Sequence, residues 1–578
     1  MFKLIVFLKP YKKECILGPA FKLLEAILEL LLPTVMALII NNGVVMRDIS
    51  YVLKMGAVMV VMSILGFGSS MICQYYAART SQGFGTSLRD AIFKHILSLS
   101  YAEIDKFGTP SLINRITNDV NQLQFAVAML IRLVIRAPFI CIGAIIMAII
   151  LDFKLALILI AATPVFAIIL YFIISKASPL YQMIQSRLDR LARVLRENLS
   201  GVRVIRAFAK SDSESLRFNA SNDDLTRTSI HVGKISALLS PLTSLVMNAS
   251  IIAILWIGGL RINSGHLSQG EIIAFVNYIT QILLALIVVS NLVIIFTKAF
   301  ASAERVNEVL ASQASIVENP GISSCNLNTD SPAIEFKNVS FGYNQTGDMA
   351  LTDISAAIRH GETVGIIGST GSGKSTLINL IPRFYDVLKG EIFVYGLNVK
   401  DYPLRELRRL VGIVPQKALL FTGTIAENIR WGKQDATDQQ IVAAAETAQV
   451  HEFVSTLPEG YSTQVSRGGS NFSGGQKQRL TIARALAMQP SILILDDSSS
   501  ALDFSTDAAL RSSIKKSSSH MTVLIVSQRV SSIKHADKII VLDDGCVAGI
   551  GTHSQLMDNC EIYKEICLSQ LSGKEVSK

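Results

Sequence analysis

Charge is scarce in this chain. Asp, Glu, Lys and Arg make up 17% of its 578 residues, where a soluble globular protein carries about a quarter, and half of the residues are hydrophobic. The mean hydropathy of +0.42 excludes a disordered polypeptide and points to lipid. Cysteine forms no framework either. Cys15, Cys73, Cys141, Cys325, Cys546, Cys560 and Cys567 make no C-x-x-C pair and no metal-ligand spacing, which excludes a zinc ribbon and leaves structural, reduced thiols. Long tandem repeats and low-complexity tracts are missing too. What remains is a chain longer than the roughly 250 to 300 residues at which single cores stop growing, so at least two domains are expected. The net charge of +9 fits Lys and Arg gathered on the cytoplasmic side of a membrane and implies no nucleic-acid partner.

The hydrophobic residues are not spread evenly. Apolar stretches near the ~20 residues needed to cross a bilayer are confined to the first three hundred positions, and six spans are expected at 17–40, 52–75, 126–151, 155–174, 237–260 and 272–298. Residues 1–13 combine basic and apolar side chains without a cleavage site and suggest an interfacial amphipathic helix. Short turns join spans one and two, three and four, and five and six. The connections 77–125 and 175–234 are long and rich in Lys and Arg, such as Arg79, Arg89, Lys94, Arg187, Arg190, Arg193 and Arg203, which places them and both termini in the cytoplasm. Helical periodicity in LDRLARVLRENL suggests membrane helices that continue as cytosolic stalks. The expected division is a membrane domain over 1–310, a polar linker rich in Gly, Pro, Asn and Ser over 311–332, and a second domain over 333–578. In that second domain short β-branched runs (TVGIIG, SILILD, TVLIVS, KIIVLD) alternate with helical segments, the pattern of an α/β domain with a largely parallel sheet.

The clearest chemical signal is Gly368-Ser369-Thr370-Gly371-Ser372-Gly373-Lys374-Ser375, which fits G-x-x-x-x-G-K-[ST] directly after a strand-like run. Its glycines let the backbone curl so that successive N–H groups and a helix N-terminus, with Thr376 in its first turn, face phosphate oxygens. Lys374 is suited to neutralise β- and γ-phosphates, and the Ser375 hydroxyl to ligate Mg²⁺. Downstream, the apolar run SILILDD ends in Asp496 and Asp497. A carboxylate at the C-terminal edge of such a strand can hold Mg²⁺, and Asp496 takes that role. ATP and Mg²⁺ are thus the expected ligands.

Just upstream lies Asn471-Phe472-Ser473-Gly474-Gly475-Gln476. A Ser and two glycines opening a helix offer free N–H donors and a positive dipole end to a phosphate. This segment resembles the LSGGQ signature of ABC ATPases, with Phe472 in the usual Leu place. The resemblance implies a P-loop ABC nucleotide-binding domain whose signature acts in trans on ATP held by a second subunit. It also implies that Tyr343 stacks on adenine, that Gln416 senses Mg²⁺ and the membrane domain, and that Ser500 and Asp503 belong to the D-loop. Six spans fused ahead of that domain resemble exporters of the multidrug and lipid type. DKFGTPSLINRITNDV and ENLSGVRVIRAF lie where that family has its coupling segments; single charges there, such as Asp105, Arg115 and Arg206, are expected to be solvated.

Two positions depart from the family pattern. The residue after the Walker B Asp, usually a catalytic Glu, is Asp497, and the switch position, usually His, is Gln528. One methylene less withdraws the carboxylate by roughly 1.5 Å, and misplacement of about 1 Å can cost a hundredfold in rate. Gln can donate a hydrogen bond but cannot carry a proton between groups. Arg467 stands where exporters often carry an acidic residue. The resemblance therefore implies one subunit of a bacterial heterodimeric multidrug exporter in the plasma membrane, with a second ABC half-transporter as partner and hydrophobic or amphiphilic small molecules and membrane lipid as contacts. A homodimeric lipid flippase, an exporter-fold importer and an ATP-gated channel are the alternatives. At membrane depth Glu25 and Glu29 share one helical face, and Arg132 and Arg136 another. Charges there are costly, at ~2.5 to 3.5 kcal/mol each; they line a cavity for cationic amphiphiles or form structural ion pairs, and the sequence leaves both open. Asn248, Asn277, Gln281 and Asn291 are expected to bond between helices.

Overall fold

The computed structural model describes residues 2–317, 330–343, 347–517 and 521–570. Most of the expected linker (318–329) and Cys325 lie outside the described residues. The chain divides into two compact units, one of residues 1–97 and 108–312, the other of 98–107 and 313–578.

The first unit is built from six helical stretches, Lys3–Val44, Ile49–Ser98, Thr109–Leu151, Phe153–Ser200, Ser211–Asn263 and Gln269–Ala311, each with an apolar window long enough to cross a membrane. They greatly exceed the ~20 residues that a bilayer requires. At 1.5 Å per residue, the 48-residue fourth stretch is about 72 Å long. The two long connections are therefore mostly helix, broken near Ser100, Gly108, Gly201 and Lys210. At the N-terminus a tight 3-10 helix, Phe2–Tyr11, runs into the α-helix Lys12–Leu38, and Leu4 is buried rather than lying on a free surface.

Polar side chains fix the helix ends. Ser268 and Glu271 form a capping box at the start of the sixth stretch, which satisfies N–H groups that a helix start leaves open. Asn41 completes this corner by donating to Ser268 Oγ at 2.6 Å and accepting from the Gly270 N–H at 2.9 Å. Only glycine fits at 270, because a Cβ there would stand 2.3 Å from the Ala37 carbonyl oxygen. Asp152 accepts from the Leu155 N–H at 2.9 Å and pairs with Arg261 at 2.6 Å. In the core, Phe166, Ile254, Phe275, Tyr278 and Ile279 are sealed from solvent, and the Tyr278 hydroxyl donates to the Leu30 carbonyl at 3.0 Å.

A buried polar network joins the third and sixth stretches. Asp119 accepts from Ser302 Oγ and Arg305 Nε, both at 2.9 Å, and from Arg305 Nη2. Arg115 donates to the Arg305 carbonyl at 2.6 Å and to Glu308 at 2.8 Å. Arg115 is buried, which corrects the expectation of a solvated charge: its partners lie about 190 positions away, beyond the reach of a local pattern. Arg206, by contrast, is exposed.

Among the described residues the second unit holds twelve strands: β1 (Ile334–Phe341), β2 (Leu351–Ile358), β3 (Thr363–Gly368), β4 (Lys389–Val394), β5 (Leu397–Asn398), β6 (Val411–Val414), β7 (Gly423–Thr424), β8 (Gln464–Val465), β9 (Ile492–Asp496), β10 (Thr522–Val526), β11 (Lys538–Asp543) and β12 (Cys546–Gly551). The main sheet has the order β12-β11-β3-β10-β9-β6, parallel except for β12. Every residue of β9 and β10 is buried, as expected of parallel strands covered on both faces. An antiparallel sheet, β2-β1-β4-β5, and the pair β7-β8 accompany it. The parallel order brings the C-terminal ends of β3, β9 and β10 side by side, which is where open α/β sheets bind ligands.

The helix Tyr101–Phe107 packs as part of this unit. Its Tyr101 ring lies 4.7 Å from that of Phe384, and Asp105 accepts from the Tyr385 hydroxyl at 2.7 Å. Asp105 is thus not merely solvated. Burial first, then Asp105, push the Tyr385 phenol well above its ordinary range.

Candidate functional site

At the end of β3 the chain turns through Gly368 to Gly373 into the helix Lys374–Leu380. Gly373 has φ of +91°, and a Cβ there would meet the Ala350 carbonyl oxygen at 2.8 Å, so glycine is required on both counts. Lys374 folds its ammonium over this loop, donating to the carbonyls of Gly368 (2.9 Å) and Ser369 (2.6 Å) and to Ser372 Oγ (3.3 Å). Burial lowers its pKa, and Asp497 and Asp496 pull the other way. A partly desolvated cation in a ring of weak acceptors is poised to exchange them for phosphate oxygens.

Ser375 donates to Asp496 at 3.1 Å, so the hydroxyl and carboxylate expected at a cation stand together. Among the described residues no group of three or more His, Cys, Asp or Glu could hold a metal. A hard cation would need further oxygens from phosphates, as is usual for Mg²⁺. Desolvation raises the pKa of Asp496 against the Ser375 hydrogen bond, and raises that of Asp497 against the bond from Gln416. Gln416 Nε2 donates to Asp497 Oδ2 at 3.3 Å. The backbone of Asp497, with φ of +43°, is pinned by its N–H to the Val526 carbonyl (2.9 Å) and by its own carbonyl, which accepts from Ser500 Oγ (2.8 Å).

A cleft of about 320 Å³ collects Tyr343, Thr370, Gly371, Gly373, Lys374, Ser375, Thr376, Gln416, Asp496, Asp497 and Gln528. Tyr343 is more than half exposed, and its hydroxyl bonds Thr376 Oγ1 at 3.0 Å. Ser473, Gly474, Gly475 and Gln476 do not line this cleft. They open the helix Gly474–Ala487 through a capping box, with the Ser473 N–H donating to Gln476 Oε1 at 2.8 Å. Behind them Phe472 is buried edge-on to Phe453. Asp503 accepts from Ser505 Oγ and the Thr506 N–H, which holds its carboxyl far below the usual range. Arg467 is exposed.

Motif reading did not single out several supporting residues. Arg529 donates to the carbonyls of Ser499, Leu502 and Ser500, tying the segment 499–502 to the chain that follows β10. Gln570 donates to the Gln528 carbonyl at 2.7 Å and accepts from the Val530 N–H at 2.9 Å. Arg484 bridges Asn428 and the Leu419 carbonyl, and burial lowers its pKa to about 10. Only Arg529 had a sequence cue, its place directly after Gln528.

This geometry, a phosphate loop beside paired Ser375 and Asp496 in a chain with six membrane-length helices, coincides with two family matches. The ABC transporter transmembrane region matches residues 15–286, and the ABC transporter domain matches 351–500. An uncharacterised ABC transporter ATP-binding protein of Mycobacterium tuberculosis is 40% identical over 97% of both chains. The chain belongs to the ABC transporter family. A putative multidrug export ATP-binding/permease protein of Bacillus subtilis is 34% identical to this half-transporter over 98% of both chains. In fold it is similar to a bacterial Atm1-family ABC exporter solved with ATP bound, with a TM-score of 0.79, 24% identity and coverage of 97% of this chain and 98% of that one. It is an exporter-type ABC transporter chain, an ATPase whose nucleotide-binding domain is cytoplasmic.

In the membrane unit the four candidate charges divide differently from their sequence pairing. Glu29 accepts from Arg136 at 2.6 Å, and Glu25 accepts from Lys22 at 2.6 Å. Gln281 donates to the Glu29 carbonyl at 3.4 Å, an interhelical bond of the expected kind, whereas Asn277 bonds within its own helix.

Proposed function

We propose that this chain is one half of a heterodimeric exporter of hydrophobic or amphiphilic compounds, and that the nucleotide site built on its own Walker motifs hydrolyses ATP slowly. The observation that carries the reading is the pinned backbone of Asp497. Because its N–H and carbonyl are both engaged, a backbone shift cannot restore the reach lost with a methylene of roughly 1.5 Å. Gln528 lines the same cleft without a proton to relay. Both shortfalls fall in one composite site, whereas Ser473, Gly474 and Gly475 offer an intact helix start to ATP bound by a partner. The partner then supplies a Glu and a His to the faster site, and the slow one holds nucleotide longer.

Mg²⁺ would be held by Ser375 and Asp496, with Gln416 beside them, and would neutralise charge developing on the phosphates. Lys374 orients the β- and γ-phosphates, and Tyr343 offers a ring edge or face to the base. ATP-driven closure then turns a membrane cavity from inside to outside by alternating access. The Bacillus relative's description as a putative multidrug export protein supports the amphiphile class. The test is composition: tagged chain extracted gently from its native membrane is expected to carry a second ABC half-transporter at one to one, with Glu and His at the matching positions. A pure homodimer that transports and hydrolyses ATP briskly overturns the proposal.

A further inference from the structure

The charges at membrane depth do not cancel. The first span contributes Lys22, Glu25 and Glu29, and the third contributes Arg132 and Arg136. Lys22 answers Glu25, and Arg136 answers Glu29. Arg132 is left over. Among the described residues it has no ion pair or hydrogen bond, and its Nε is buried without an acceptor, as is that of Arg136. The same pocket of charge holds buried Cys73, within electrostatic reach of Lys22, Glu25 and Arg132.

Local structure makes this segment unusual. Arg132 sits at the centre of a π-helical turn, Leu130–Val134, a widened turn that is frequent at functional sites. Its neighbours Leu130, Ile131 and Val134 line an apolar cavity of about 780 Å³ together with Ile5, Phe296 and Phe300. The cluster is not sealed: Glu29 and Arg136 keep 35% and 22% of their side-chain surface exposed, and Arg132 is half-buried.

An unpaired cation at membrane depth is costly, and orphaned buried donors add to the cost. A guanidinium fork matches carboxylate, phosphate and sulfonate groups. We propose that Arg132 is a specificity residue that favours anionic amphiphiles, with the charged head at Arg132 and the tail in neighbouring apolar space. Of the two readings the sequence left open for Glu25 and Glu29, the structure has the ion pairs, each carboxylate with its own cation, so neither is left over for a cationic head. The inference rests on the reading of the chain as an amphiphile exporter.

The test uses the full chain in phosphatidylcholine nanodiscs and three dansyl-labelled probes with one C11 tail, ending in a carboxylate, a trimethylammonium or a neutral amide. Fluorescence titration is expected to give about tenfold tighter binding of the carboxylate than of the ammonium probe. Arg132→Gln is expected to abolish that preference, while Arg132→Lys retains most of it and shows that charge, not lost packing, is responsible. Equal affinities in the wild-type chain, or a preference that survives Arg132→Gln, overturn the proposal. Adding phosphatidylglycerol separates two sources of the same chemistry: competition identifies a lipid phosphate as the occupant, and its absence a free amphiphile. ATP-dependent uptake of the neutral probe into inverted vesicles tests the export reading separately, since its loss would sink that reading and leave the charge preference measured by binding intact.

Discussion

Asp497 is the residue on which most of the chemistry turns. Burial raises its pKa and that of Asp496, so the folded cleft binds their protons more tightly than the unfolded chain does. The sign follows from linkage. The cost of holding both carboxylates ionised is absent below their unfolded values, near pH 4, and grows as pH rises through the folded values. Asp497→Asn is therefore expected to raise the apo melting temperature at pH 7 to 8, with the gain shrinking towards pH 4, as differential scanning calorimetry across that range would register. An unchanged or lower melting point at pH 8 would contradict the assigned desolvation. Asp119 contributes through the hydrogen bonds it accepts. Its carboxylate is 3% exposed and is served by Arg305 and Ser302, so Asp119→Ala leaves the buried Ser302 hydroxyl and the Arg305 guanidinium without this acceptor. A loss of about 2 kcal/mol in denaturant unfolding is expected, below the ~3 to 5 kcal/mol typical of fully buried pairs because Arg305 is half exposed.

At the scale of elements, the signature helix begins on a capping box that does two jobs. Ser473 accepts from the Gln476 N–H at 3.3 Å, which completes the helix start, while the first-turn N–H groups of Gly474 and Gly475 have no partner within the helix, the donors that the proposed signature role would use. Ser473→Ala is expected to cost about 1 kcal/mol, lowering the domain's thermal transition by about 3 °C. ATP turnover in the complete transporter should fall much further than that modest destabilisation explains. Turnover that merely tracks stability would remove the functional role of the cap. The helix 101–107 offers a second case, since its Asp105 is bonded to Tyr385. Tyr385→Phe is expected to leave ATP binding unchanged and weaken substrate stimulation of ATPase about twofold to fivefold, which corresponds to the loss of about 0.5 to 1 kcal/mol from one solvent-exposed hydrogen bond.

At the scale of the whole molecule, the sequence and the structure agree where a feature is local or periodic. The six apolar runs, the phosphate loop from Gly368 to Ser375 and the strand ending in Asp496 were each legible because a few adjacent residues decide them. The legible motifs became one cleft only through the strand order β3-β10-β9, which no single motif contains. Features that depend on distant partners were not legible. Arg115 was expected to be solvated because nothing near it in sequence announces Glu308 or the Arg305 carbonyl. Whether Glu29 lines a cavity or forms an ion pair stayed open in the sequence, because its partner Arg136 lies 107 positions away. The 3-10 form of Phe2–Tyr11 was missed for a different reason: mixed basic and apolar residues satisfy an amphipathic helix of either pitch.

The central claim, that this chain's own Walker site is the slow one, is tested most directly by steady-state ATPase on the purified full-length chain and its Asp497→Glu, Gln528→His double variant under identical lipid conditions. The account predicts slow turnover by the wild-type chain and at least a tenfold increase in the double variant, about 1.4 kcal/mol of recovered transition-state stabilisation. Wild-type turnover equal to that of the double variant would contradict it.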